Sequence, residues 1–228
     1  MRKVYYNGHR CFVNREWPGG LVDLTTVCRT QKGIFEEYLS VDEKLFMPCR
    51  DWRMYFFVMY NLSEIQKGIQ AGHAAMEYAR HFGGDDAFRE FAKYDKTFVL
   101  LNGGTSNEGE RSMYGMEPAM GSMEELEMEL KKTDANYAWF REPDANWSLT
   151  ALAFLAERRV YDREQYPDFP QYMGDHGVSA QEIVEYNMLP NDSPMPVKHA
   201  KMFGDWLQSV GGSVNAALRG LIAGRRLA

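Results

Sequence analysis

Cysteine is scarce in this chain. Among 228 residues there are three, Cys11, Cys28 and Cys49, and no two are close enough to form a C-x-x-C pair. Structural zinc sites use tightly spaced ligands, so a site built from these with His9 is disfavoured and no metal is expected. An odd count behind a start (Met1-Arg2-Lys3-Val4-Tyr5-Tyr6-Asn7) that lacks a secretory apolar core argues against a disulfide framework. The expectation is free thiols in a reducing cytoplasm. Long hydrophobic runs are also missing. None approaches the ~20 apolar residues of a bilayer span, so no membrane role is expected. Basic charge is in deficit, with 26 Lys and Arg against 32 Asp and Glu, a net −6. That disfavours a protein that coats nucleic acid through bulk charge. Common catalytic fingerprints are absent too. Lys67-Gly68 lacks the upstream glycine of a phosphate loop, and Asn102-Gly103-Gly104-Thr105 falls short of a dinucleotide fingerprint. No G-x-S-x-G occurs. No cofactor is expected.

What remains is a chain of ordinary globular composition, 45% hydrophobic and 25% charged. At this length it can bury roughly 70% of its unfolded surface, without staples. The charge deficit is uneven. From Val197 onward the chain carries Lys198, Lys201, Arg219, Arg225 and Arg226 against Asp205 alone, which reads as a basic tail on an acidic body.

Residues 1–51 read as a β-rich N-terminal extension. Asn7-Gly8 and Pro18-Gly19-Gly20 are turn signals between short apolar runs. The next segment is clearer. RMYFFVMY, residues 53–60, is the unbroken apolar pattern of a strand buried on both faces. Ser63 with Gln66 is a capping box and opens a helix over 64–82. Ile65, Ile69, Gly72, His73 and Met76 share one face, the apolar one by period. Gly83-Gly84 is read as a left-handed stop. A short helix is expected at 86–93 and strands at 96–101, 137–141 and 149–155. A helix is expected over 123–132, opened by a second capping box, Ser122 with Glu125. A long polar loop spans 102–121, a length that is usually functional when it occurs in a compact domain. The fold class expected is α/β: a four-stranded mixed sheet over 52–157, the first strand central, covered by helices. Residues 158–228 form a C-terminal helical region with helices at 179–186, 197–210 and 213–226. Phe203, Trp206, Leu207 and Val210 make one apolar stripe and Val214, Leu218, Leu221 and Ile222 another. Both should be buried, on the domain or in a homodimer.

Two places could carry chemistry. At the start of the first long helix, Lys67 and Gln70 suit an anion that also meets free helix N–H groups, with His73 nearby. The alternatives are an exposed lysine and a core histidine. The second place is Arg141-Glu142-Pro143-Asp144-Ala145-Asn146-Trp147-Ser148, where Asp144 could orient a water beside Ser148. The alternative is a plain turn, since Pro143, Asp144 and Asn146 are turn formers.

These residues resemble the archaeal/eukaryotic-type peptidyl-tRNA hydrolase family over about residues 52–157. That family has an apolar strand, a D-L turn, a G-K-x-A-A-Q-x-x-H-A helix, and later a strand ending in R-D-A-G-x-T before a final strand. Here Asn61-Leu62 stands at the turn and Lys67-Gly68-Ile69-Gln70-Ala71-Gly72-His73-Ala74-Ala75 in the helix, with Gln70 three before His73. Asp144-Ala145-Asn146-Trp147-Ser148 stands at D-A-G-x-T. The lysine and glycine are exchanged, and asparagine and serine replace the later glycine and threonine. The resemblance implies hydrolysis of the peptide–tRNA ester, with Lys67, Asp144 and Ser148 catalytic. It implies tRNA as partner, with Gln70, His73 and Asn146 on the substrate side, and a homodimer. Arg225 and Arg226, outside the matched span, would add phosphate contacts. Two rival readings stand beside it. One is a non-enzymatic protein that reuses the fold to bind another protein. The other is a small-molecule enzyme sited in the 102–121 loop.

Overall fold

The computed structural model describes residues 50–107, 120–189 and 195–228 in full, together with the backbone of five strands within residues 2–48. Those strands are Arg2–Tyr6 (β1), His9–Trp17 (β2), Leu21–Thr30 (β3), Gly33–Asp42 (β4) and Met47–Pro48 (β5). They form one antiparallel sheet in the order β4-β3-β2-β1-β5. Tyr6 pairs with His9 and Trp17 with Leu21, so strands meet on either side of both turn signals. The turn residues themselves, and the thiols of Cys11, Cys28 and Cys49, lie outside the described residues and side chains. The chain divides into two units, Met1–Asp51 and Trp52–Ala228.

The second unit is an α/β fold. Its strands are Arg53–Met59 (β6), Thr97–Gly104 (β7), Tyr137–Glu142 (β8) and Ser148–Ala156 (β9). The sheet order is β7-β6-β9-β8, with β6 parallel to β7 and antiparallel to β9, so the sheet is mixed and β6 is interior. Phe56 and Phe57 point to opposite faces and are both fully buried, as the unbroken apolar run requires. Helix Glu64–Phe82 (α1) covers one face. Helix Asp86–Glu90 (α2) follows it, with a π turn at Phe91–Asp95 leading into β7. Helix Ser122–Lys131 (α3) covers the other face.

The capping box opens α1: Gln66 N–H donates to the Ser63 hydroxyl, and Ser63 N–H to the Gln66 side chain. The face it buries is not the one its periodicity indicates. Ile65 and Met76 are 78% and 71% exposed, and Ile69 and His73 are exposed as well. The buried residues are Gln70, Ala71, Ala74 and Tyr78. Ala71 and Ala74 belong to the same cluster as Ala138, Ala151 and Ala153 of the sheet, where small side chains allow close approach. Two end signals also resolve differently. Gly83 ends α1 with φ −61°, in the right-handed region, and the chain turns on an Asp85 N–H to Phe82 carbonyl bond. Helix α3 is capped by Gly121 without a side-chain bond, because the Ser122 hydroxyl accepts from Thr105 N–H at 2.9 Å instead.

Beyond β9 come Arg158–Tyr161 (α4), Phe169–Asp175 (α5), Ala180–Asn187 (α6), Val197–Val210 (α7) and Ser213–Ile222 (α8). Gly211 and Gly212 join α7 to α8 at φ 90° and 101°, a left-handed pair open to glycine. Both C-terminal stripes are covered within this unit. Trp206 and Val210 pack with Phe169 and Met173, and Leu218 packs on the sheet cluster beneath α3. Arg219 does not belong to a basic surface, since it is 2% exposed. Its guanidinium donates to Asp168 Oδ1 at 2.7 Å and to the carbonyls of Arg159 and Tyr166, each at 2.6 Å. Burial holds its pKa below the ordinary arginine value. Lys198 is paired with Glu182 at 2.9 Å, so exposed Arg225 and Arg226 carry more of the remaining tail charge. No helix among the described residues is long and apolar enough to cross a membrane.

Candidate functional site

Parallel strands β6 and β7 lie side by side, but the chain leaves them toward opposite faces, into α1 and toward α3. Their carboxyl ends lie together, at the end of the sheet where ligands of open α/β folds bind. Because β9 runs antiparallel to β6, with Val58 opposite Ala151, its first residues lie at the same end of the sheet. The β8–β9 connection is there too, since Glu142 pairs with Ser148. The topology therefore gathers the start of α1, residues 142–148 and the end of β7 along one sheet edge.

A buried polar bridge ties α1 to that connection. Gln70 Nε2 donates to Glu142 Oε2 at 2.6 Å, and Gln70 Oε1 accepts from the Thr150 hydroxyl at 2.7 Å. Thr150 reaches Gln70 because β9 bulges: Phe140 pairs with Ala151 and Arg141 with Leu149, leaving Thr150 as the extra residue. A bulge re-aims a side chain, and here it turns a hydroxyl toward the helix. Gln70 and Thr150 are both buried, so each polar atom needs its partner. The Thr150→Val variant keeps the shape and leaves Gln70 Oε1 unpaired. It should lose about 1–3 kcal/mol of stability in urea denaturation. A loss under about 0.5 kcal/mol would show that the bridge does not hold α1.

The residues expected from sequence fall around this bridge as follows. Lys67 sits one turn before Gln70, its side chain 12% exposed, and its Nζ donates to Glu64 Oε1 at 3.0 Å. His73 is exposed and stacks on Phe140 of β8, with ring centroids 4.4 Å apart, so it is not a core histidine. Asp144 is exposed in a 3-10 turn, Pro143–Ala145, and Asn146 follows in the left-handed region at φ 54°. The turn reading of this segment and its polar groups thus coexist. The Ser148 hydroxyl donates to the Ala145 carbonyl at 2.6 Å. Arg225 and Arg226 are not part of this group. Arg225 lies over the Phe57 ring on the α3 face, and the Arg226 carbonyl accepts from Asn102 N–H along β7.

The end of β7 is held by a second set. Gly104, at φ 87°, lies against Ser122, whose hydroxyl any Cβ there would overlap. Ser106 donates to the buried carboxylate of Glu124 and accepts from Leu149 N–H at 3.0 Å, joining β7, α3 and β9. On the α3 face a cleft of about 410 Å³ is lined by Met120, Ser122, Glu125, Glu129, Leu221 and Arg225 among others. Most of the 102–121 loop, residues 108–119, lies outside the described residues.

Sequence reasoning missed Thr150 and the pairing role of Glu142. Thr150 carries no local signal, because only the bulge exposes it to α1. Searches against models of protein families and against curated proteins return no match to this chain.

Proposed function

We propose that the second unit is a peptidyl-tRNA hydrolase-like esterase that cleaves the bond between a peptide and the terminal ribose of tRNA. The supporting observation is the 2.6 Å Gln70–Glu142 bond, which ties the first turns of α1 to the Asp144–Ser148 connection. In this reading Lys67 holds a phosphate. Its partner Glu64 is 80% exposed, so water already competes for that carboxylate and a phosphate at the helix start can exchange with it. The proton of Ser148 is committed to Ala145, so its oxygen accepts from the attacking water. Asp144 takes the other proton as the water oxygen bonds to the ester carbon. The bond to the ribose oxygen then breaks, and that oxygen receives the proton. Gln70, His73 and Asn146 line the approach of the substrate.

The test is peptide release from purified peptidyl-tRNA by the full chain. Asp144→Asn should lower kcat about 100-fold or more, the usual scale for a lost general base. Lys67→Met should raise KM about tenfold with a smaller effect on kcat, as loss of a ground-state contact does. A wild-type protein that releases no peptide would end this reading.

A binding role without catalysis is favoured by a different observation, the exposed Ile65, Ile69 and Met76 on α1. Such a face suits a protein partner. A homodimer, which the family resemblance implies, would use a surface other than the C-terminal stripes, since these are covered within the unit.

A further inference from the structure

The β8–β9 connection contains a backbone feature that the proposed chemistry does not use. After the 3-10 turn, two consecutive residues adopt left-handed conformations, Asn146 at φ 54° and Trp147 at φ 62°. Asparagine tolerates that region, whereas a bulky side chain is an outlier there. The turn is held in place. Trp147 N–H donates to the Glu142 carbonyl at 3.0 Å, and the next residue is fixed by the Ser148–Ala145 bond. The indole itself is 64% exposed. Packing therefore does not explain why a tryptophan occupies a position that suits glycine. Backbone strain of this kind clusters at active sites and ligand clamps.

The surroundings narrow the ligand. Asp144 and Asn146 precede the indole in the turn and are exposed, and Ser148 follows it, so the same short connection carries a carboxylate, an amide and a hydroxyl as well as the exposed ring. A flat heterocycle suits this arrangement, with its face on the indole and its edge on the polar groups. A protein anchor would instead sit inside an apolar patch, with polar groups kept to the rim. We infer that Trp147 is a stacking platform for an unpaired nucleobase of single-stranded RNA. The inference rests on the proposed function. The ester to be cleaved sits on the ribose of an unpaired terminal nucleotide, so bringing it to Ser148 brings a base to Trp147. Stacking is tolerant of base identity, because every base has a π face.

The test uses the full chain and a short fluorescent single-stranded RNA ending in CCA, with a blunt RNA hairpin for comparison. Wild type should prefer the single strand. Trp147→Gly should weaken that binding about tenfold, the scale of one lost stacking contact. Trp147→Phe should keep it within about threefold, since it retains a π face. The melting temperature of Trp147→Gly should equal or exceed that of wild type, because glycine adopts the left-handed turn without strain. Three results would overturn the inference: unchanged affinity in Trp147→Gly, no preference of wild type for the single strand, or a marked fall in the melting temperature of Trp147→Gly. The first would leave the indole as a protein anchor. If peptidyl-tRNA is not hydrolysed yet single-strand binding depends on Trp147, the esterase reading falls and the stacking platform stands. If peptidyl-tRNA is hydrolysed while affinity is indifferent to Trp147, the esterase stands and the platform falls.

Discussion

Arg219→Met should destabilise the second unit by about 3–5 kcal/mol, the range for removing one partner of a buried ion pair. The guanidinium is almost fully enclosed and bonded to Asp168 and to two carbonyls. Methionine fills the space but donates nothing, so the Arg159 and Tyr166 carbonyls lose their donor. Asp168 is only half-buried and regains water, which places the expected cost near the lower limit. For a unit of this size that corresponds to a melting temperature lower by on the order of 10 °C. Arg219→Lys should fall between, since a point charge replaces a fork that reaches three acceptors. Arg163 also pairs with Asp168, and its pKa is held low by burial first and by Arg219 second. Asp168 thus balances two cations, and Asp168→Asn should expose their repulsion. Urea denaturation of the full chain checks the series. A loss under about 1 kcal/mol for Arg219→Met would show that the clamp is ornamental to stability.

Trp206→Ala should cost about 3–5 kcal/mol, the range for truncating a large core aromatic. The ring packs on Phe169 and Phe203, with centroids 5.5 and 5.4 Å away, and its Nε1 donates to the Pro167 carbonyl at 3.0 Å. Trp206→Phe keeps the ring contacts and orphans that carbonyl, so about 1–2 kcal/mol is expected. Solution mass should not change, because the stripe is covered within its own unit. An unchanged melting temperature in Trp206→Ala would mean that α5 and α7 do not share a core. The two sites are coupled. Residues 166–169 are a hub: Tyr166 and Asp168 accept from Arg219, Pro167 accepts from Trp206, and Phe169 packs on Trp206. Loss of either anchor loosens the other, so the double variant should cost less than the sum of the single ones.

Local chemistry determined much of this architecture. Ser63 and Gln66 are three residues apart, so their reciprocal cap forms from the helix start alone, and α1 runs over the expected 64–82. An unbroken apolar run has no polar face to turn to water, so β6 had to be interior. The helical and strand order of residues 53–156 follows from signals of this kind, as do the bounds of α7.

Partnership across long stretches of chain was decided only by the tertiary structure. Gln70 reads as an anion-facing residue at the helix start, but it is buried because Glu142 and Thr150, 72 and 80 residues further on, satisfy its amide. Ile65, Ile69 and Met76 dominate the periodicity of α1, yet the helix turns Gln70, Ala71, Ala74 and Tyr78 to the sheet, where Ala71 and Ala74 share a cluster with Ala138, Ala151 and Ala153, and the larger aliphatic side chains face outward. Ser122 and Glu125 have capping-box spacing, but the end of β7 offers Thr105 N–H to the hydroxyl first. Arg219 counts as tail charge until Arg159, Tyr166 and Asp168 surround it. Asn146 reads as a turn former, while the left-handed conformations of Asn146 and Trp147 belong to the way β8 and β9 meet. Hydrogen-bonding demand and side-chain size are written in each residue, but the group that meets them is chosen by which distant segment folds against it.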